Sequence, residues 1–186
     1  GTYTMCVYLM SIPGGWVADK FIGQKKAVML GGLLLCAGHG ILAVDAEWAF
    51  FTGLILIVVG VGFLKPNIST MVGGLYQKGD NKRDTGFYIF YMGINIGAFL
   101  GALTVGAVAA KYGWHYGFGL AGIGMAIGQL VYFYGLQYLE GVGEFIGSDK
   151  SPDKELMNKP LTKVEKDRML VMFLSFLIII VFWGAF

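Results

Sequence analysis

Between Glu47 and Lys78 the chain carries a single charge, Lys65, inside a run that is otherwise apolar or weakly polar. Counted along a helix, the 18 steps back to Glu47 span about 27 Å and the 13 steps on to Lys78 about 20 Å. The run is therefore long enough to cross a hydrocarbon core of ~30 Å, with Lys65 well within it. An ammonium group at that depth is costly and marks a candidate functional residue.

The rest of the sequence agrees with a membrane setting. Of its 186 residues, 56% are hydrophobic and 14% charged, with a mean hydropathy of +0.65, which is too apolar for a soluble domain of this length. Six apolar segments can be drawn, at about 1–18, 27–44, 49–76, 86–109, 117–139 and 166–186. The fold class expected is all-α, a polytopic membrane protein. Twelve of the 14 basic residues fall in three clusters: Lys20, Lys25 and Lys26; then Lys78, Lys82 and Arg83; then Lys150 to Arg168. These occupy alternate loops, and the loops between hold only Asp45, Glu47 and Lys111, so the basic loops are expected on the cytoplasmic side.

Residues 140–165, with the charged and polar run Ser148 to Glu155, differ in composition from the rest and mark the one domain boundary in the sequence. They divide a bundle at 1–139 from the start of a second at 166–186. Within them, Thr162-Lys163-Val164-Glu165 has the pattern of a capping box and predicts the start of the last helix. The 30 glycines lie largely in the apolar segments, and the spacing Gly93, Gly97, Gly101 predicts a close helix–helix approach. Cys6, Cys36 and His39 read as packing residues, and His115 as an interfacial loop residue. No nucleophile and base combination, metal-ligand spacing or cofactor motif points to an enzyme. No cofactor is expected.

Two blocks carry more specific information. Gly15-Trp16-Val17-Ala18-Asp19-Lys20-Phe21-Ile22-Gly23-Gln24-Lys25-Lys26 has glycines suited to a tight turn between helices, an aspartate able to cap or pair at a helix end, and lysines for the anionic leaflet. It resembles the loop signature of the major facilitator superfamily, departing at Gln24. In that superfamily the loop joins the second and third helices and gates rocking of the two halves, which makes Gly15, Asp19, Lys20, Gly23 and Lys25 candidate gating residues. The second block is Phe63-Leu64-Lys65-Pro66-Asn67-Ile68-Ser69, followed by Phe87 to Phe99 with its core Ile94-Asn95-Ile96-Gly97. Together these resemble the proton-dependent oligopeptide transporter family.

The resemblance implies a major facilitator helical bundle covering helices two to seven, with the first helix and the C-terminal bundle supplied by the rest of the protein. It also implies proton-coupled symport of di- and tripeptides across the cell membrane, with H+ as the coupling ion. Substrate-binding roles carry over to Lys65 for the peptide carboxylate, Asn95 for the peptide backbone or amino terminus, and Tyr91, Tyr8 and Trp183 as pocket-lining aromatics. Depth gives a separate check: Tyr8, Lys65, Asn95 and Trp183 lie about 16, 20, 16 and 22 Å from the nearest cytoplasmic charge, close to one level. Tyr91 and Asn95, spaced i, i+4, share a helix face. An unpaired ammonium buried in the membrane needs a counter-charge, and none lies at mid-depth in these residues. A same-fold carrier of nitrate or another small anion, and a non-transporting sensor or scaffold, remain open alternatives.

Overall fold

Apolar helices in lipid must satisfy their backbone groups internally, and the described residues do this in six α-helices. A computed structural model describes residues 2–77, 79–145 and 160–184. The helices are α1 (Thr2–Val17), α2 (Gln24–Leu42), α3 (Glu47–Gly74), α4 (Lys82–Tyr112), α5 (Trp114–Gly135) and α6 (Lys163–Gly184). Each of the six predicted segments holds one, and the described residues contain no strand. Lys78 and most of the 140–165 segment lie outside the described residues.

Among the described residues four helices are long and apolar enough to cross a membrane: α2, α3, α4, and α5 with its short 3-10 continuation to Tyr138. The first helix matches the apolar segment at 1–18, and after 16 residues it passes into a π-helical turn, Ala18–Ile22. That turn closes at Gly23, whose N–H donates to the Ala18 carbonyl at 2.7 Å. With φ of 82°, Gly23 occupies the left-handed half of the map where a side chain is strained. In α6, Lys163, Glu165, Lys166, Asp167 and Arg168 fill the opening turns, ahead of the apolar run.

The chain divides into two compact units, Gly1–Pro152 and Asp153–Phe186. In the first, α3 is the central post. Hydrophobic burial gives helices no reason to associate within lipid, so close backbone contact has to supply the attraction. Glycines supply it: a Cβ on Gly31 of α2 would stand 2.7 Å from the Gly60 carbonyl oxygen of α3, and one on Gly38 would stand 3.0 Å from that of Gly53. On the other side, Gly62 of α3 meets the main chain of α1 at Met10 and Gly14. Leu35, Leu42 and Ile57 fill the seam beside these contacts, flanked by Val61, Leu64, Phe118 and Met125.

Three α5 side chains stitch that helix to α2. The Gln129 amide donates to the Met29 carbonyl at 3.0 Å, in space left by Gly32, and the Tyr132 hydroxyl donates to the Lys25 carbonyl at 3.0 Å. His115 Nδ1 lies 3.3 Å from the Leu42 carbonyl at the opposite end. His115 also pairs with Asp45 at 3.0 Å, so its role is larger than the loop position expected for it. His39 bonds to the Leu35 carbonyl of its own helix at 3.0 Å, and both cysteines are free and partly buried, in keeping with packing roles.

Among the described residues the glycines of α4 do not make the close approach that their spacing predicts. Gly93, Gly97 and Gly101 have open space where a Cβ would stand. The reason is that α4 is held at its ends: Gly86 packs on the Tyr76 ring, and Ala109 packs on Gly117.

The capping box forms. Thr162 Oγ1 accepts from the Glu165 N–H at 3.3 Å, and the Glu165 carboxylate accepts from the Thr162 N–H at 2.7 Å. That backbone donor, followed by the Thr162 hydroxyl, holds the Glu165 carboxyl below its ordinary value of 4.5. A depressed folded value means that the cap contributes fully above 4.5 and is lost as pH falls through the lower folded value. A carbon-13 titration of Glu165 should give a midpoint below 4.5, rising in Thr162→Ala; a wild-type midpoint at or above 4.5 rules the cap out. At the α2–α3 seam, Gly31→Val forces main-chain movement and should destabilise by about 1–3 kcal/mol. Its melting temperature in detergent should drop by several degrees, and an unchanged value contradicts the seam.

Candidate functional site

The site begins with a defect in α3. Pro66 has no N–H, so the Gly62 carbonyl one turn earlier loses its helical partner. That carbonyl faces Gly14 of α1, where only a glycine leaves room for it. The next residue, Asn67, is 2% exposed and donates its side-chain amide to the Phe63 carbonyl at 2.7 Å, with a long 3.5 Å approach to the Gly14 carbonyl. Asn67 thus bonds within the loosened turn and reaches toward α1. Sequence reasoning quoted it within the Phe63–Ser69 block and gave it no role; the signal was a polar amide directly after a mid-membrane proline.

The same turn presents Lys65. Its Nζ sits 4.7 Å above the centroid of the Tyr8 ring, so α1 and α3 bring these two predicted residues together. A cation over an aromatic face gains about 0.5–2 kcal/mol, the higher figure when desolvated. The close contacts between basic and acidic side chains among the described residues are Lys25–Glu144 and His115–Asp45, and neither involves Lys65. An aromatic face offsets only part of the cost of taking an ammonium out of water.

Tyr91 and Asn95 share a face of α4 as predicted. Asn95 Nδ2 donates to the Tyr91 carbonyl at 2.8 Å, and the Tyr91 ring stacks on Phe87 at 6.3 Å and meets Phe90 edge-on at 5.6 Å. No hydrogen bond or ring contact among the described residues links this pair to Lys65 or Tyr8. The predicted set is therefore brought together as two pairs. Trp183 falls in α6, in the second unit, and its side chain lies outside the described residues.

The candidate gating residues are placed by the α1–α2 turn. Gly15 lies against Pro66, with 3.9 Å between its Cβ position and the proline Cβ, so the turn abuts the loosened part of α3. Asp19 accepts a long bond from Gln24 at 3.4 Å, which puts the residue that departs from the superfamily pattern in contact with the motif aspartate. Lys20 lies 5.5 Å over the Trp16 ring, itself edge-on to Phe21 at 5.3 Å. Lys25 makes the one ion pair of the turn, 2.6 Å to Glu144.

A bundle of membrane-length helices with a lysine at a proline-loosened turn defines a multi-pass membrane protein. The POT family model matches residues 25–144, and the chain belongs to that family of the cell membrane. It is 47% identical over 143 residues to the di-/tripeptide transporter of Lactococcus lactis subsp. cremoris, covering 76% of this chain and 29% of that protein. It is also 47% identical over 131 residues to YclF, an uncharacterized transporter of Bacillus subtilis, covering 70% of this chain and 27% of that protein. Among solved structures, peptide transporter POT in complex with sulfate superimposes with a TM-score of 0.75 at 42% identity, over 98% of this chain and 35% of that one. The chain thus spans less than a third of the length of these two curated relatives.

Replacing Tyr8 with Leu keeps an apolar side chain there and removes the aromatic face beneath Lys65. A loss of about 1 kcal/mol corresponds to roughly fivefold weaker substrate binding in the full-length protein. Calorimetry on the purified variant checks this, and an unchanged dissociation constant excludes a binding role for the pair.

Proposed function

We propose that the full-length protein imports di- and tripeptides together with protons by alternating access, and that these residues supply one half of its substrate site. The observation that carries the reading is Lys65: a mid-membrane ammonium that rests on the Tyr8 ring and has no carboxylate partner among the described residues. Membership of the POT family, and relatives named as di-/tripeptide transporters, support peptides as the cargo. A peptide zwitterion presents a carboxylate that would answer the charge of Lys65. Its amino terminus and backbone would then be met by polar groups such as Asn95.

Proton coupling follows from the same imbalance. A lysine that exchanges partners between a protein carboxylate and the peptide carboxylate ties peptide binding to the protonation of that acid. The acid belongs to helices beyond these residues. Reorganisation of the two halves around the site would release the peptide on the other side. The turn at Gly15 to Lys25 is the part of this chain proposed to gate that motion. The function proposed is carriage, with no covalent chemistry and no cofactor.

Lys65→Ala in the full-length protein, reconstituted in proteoliposomes, is the direct test. Losing a charge-assisted contact of about 1.5–3 kcal/mol should lower proton-driven dipeptide uptake by roughly tenfold or more. Uptake that persists at the wild-type rate under a proton gradient refutes the mechanism.

A further inference from the structure

Helix α2 starts with the wrong charges. Its first residues include Lys25 and Lys26, there is no acid in its first turn, and its N-cap, Gly23, has no side chain to offer the free N–H groups. Cations at a helix N-terminus oppose the dipole, and unpaired N–H groups near the membrane are costly. At Lys25 both faults are answered from more than a hundred residues away. The Lys25 N–H donates to the Gly143 carbonyl at 2.9 Å, and Lys25 Nζ meets the Glu144 carboxylate at 2.6 Å, with both side chains largely shielded at 15% and 25% exposure.

The segment that makes these contacts is seated closely. Gly143 has φ of 70° and lies where a Cβ would crowd Met71 of α3 at 2.9 Å and Gln24 at 3.3 Å. Gly23 would crowd the Phe145 nitrogen at 2.6 Å if it bore a Cβ. Val142 stands beside Gly74, and Tyr132 closes the group by donating to the Lys25 carbonyl. The start of the polar segment after α5 is thus fastened to the α1–α2 turn and to the end of α3.

We infer that Glu144 is a positioning residue for transport: through Lys25 it locks the start of the inter-bundle segment to the α1–α2 turn, so that motion of that segment is transmitted to the turn. The inference rests on the transport reading given above. Without the clasp, residues 141–145 would follow the segment while the turn stayed behind, and substrate would bind normally but cross slowly.

The experiment uses the full-length protein with Glu144→Gln, Lys25→Gln and the exchanged pair Lys25→Glu with Glu144→Lys. Dipeptide affinity is measured in detergent, proton-driven uptake in proteoliposomes, and amide exchange at Lys25 by mass spectrometry. Wild-type uptake tests the transport reading by itself, and the ratio of each variant to wild type tests the clasp. Each single variant should slow uptake about fivefold, the effect of a shielded ion pair worth roughly 1 kcal/mol, with affinity within twofold and faster exchange at Lys25. The exchanged pair should recover most of the rate. Wild-type uptake rates in Glu144→Gln overturn the inference, as does a loss in which affinity falls in step with uptake, or one that the exchanged pair leaves uncorrected.

Discussion

The first unit depends on the contact of the α3 main chain with its two neighbours. Gly53 and Gly60 admit α2, and Gly62 admits α1, so α3 touches backbone on two sides along much of its length. In lipid such contacts replace the hydrophobic effect as the source of helix association. They also fix where the polar groups go. Because Gly14 is drawn against the Gly62 carbonyl, the carbonyl freed by Pro66 is covered, and Asn67 can stay 2% exposed in that turn. Lys65 is then left on the open side of the helix, over Tyr8, while its immediate neighbours are committed to packing.

Two lysines illustrate how the same side chain acquires opposite roles. Lys25 lies at a helix N-terminus, where its charge is unfavourable, and the fold brings Glu144 to within 2.6 Å. Lys65 lies at mid-depth, where the energetic need for a partner is greater, and α1 to α5 offer it an aromatic ring. A paired lysine at the edge of the membrane suits a fixed joint. A lysine held by a weak partner suits a group that must exchange one carboxylate for another.

Much of this was legible in the sequence because the controlling signals are local. Six apolar segments gave six helices, Thr162 and Glu165 gave the cap of α6, and a depth count put Tyr8 and Lys65 on one level, where they are in contact. The i, i+4 spacing placed Tyr91 and Asn95 on one face. What spacing does not encode is which face meets which helix. Gly93, Gly97 and Gly101 have the same pattern as a packing seam, yet among the described residues the seams are formed by Gly14, Gly31, Gly38, Gly53, Gly60 and Gly62. The Lys25–Glu144 pair, 119 residues apart, and Gln129 in its slot at Gly32 were likewise beyond any local rule. The one local hint was a helix that begins with two lysines and no acid.

The central claim is that Lys65 meets the carboxylate of a peptide. Its most direct measurement is the affinity of the full-length protein for a dipeptide and for the same dipeptide amidated at its C-terminus, in wild type and in Lys65→Gln. A charge-assisted contact of roughly 1.5–3 kcal/mol makes the wild type prefer the free carboxylate by about 10- to 100-fold, and Lys65→Gln should abolish that preference. Equal discrimination in wild type and Lys65→Gln contradicts the claim.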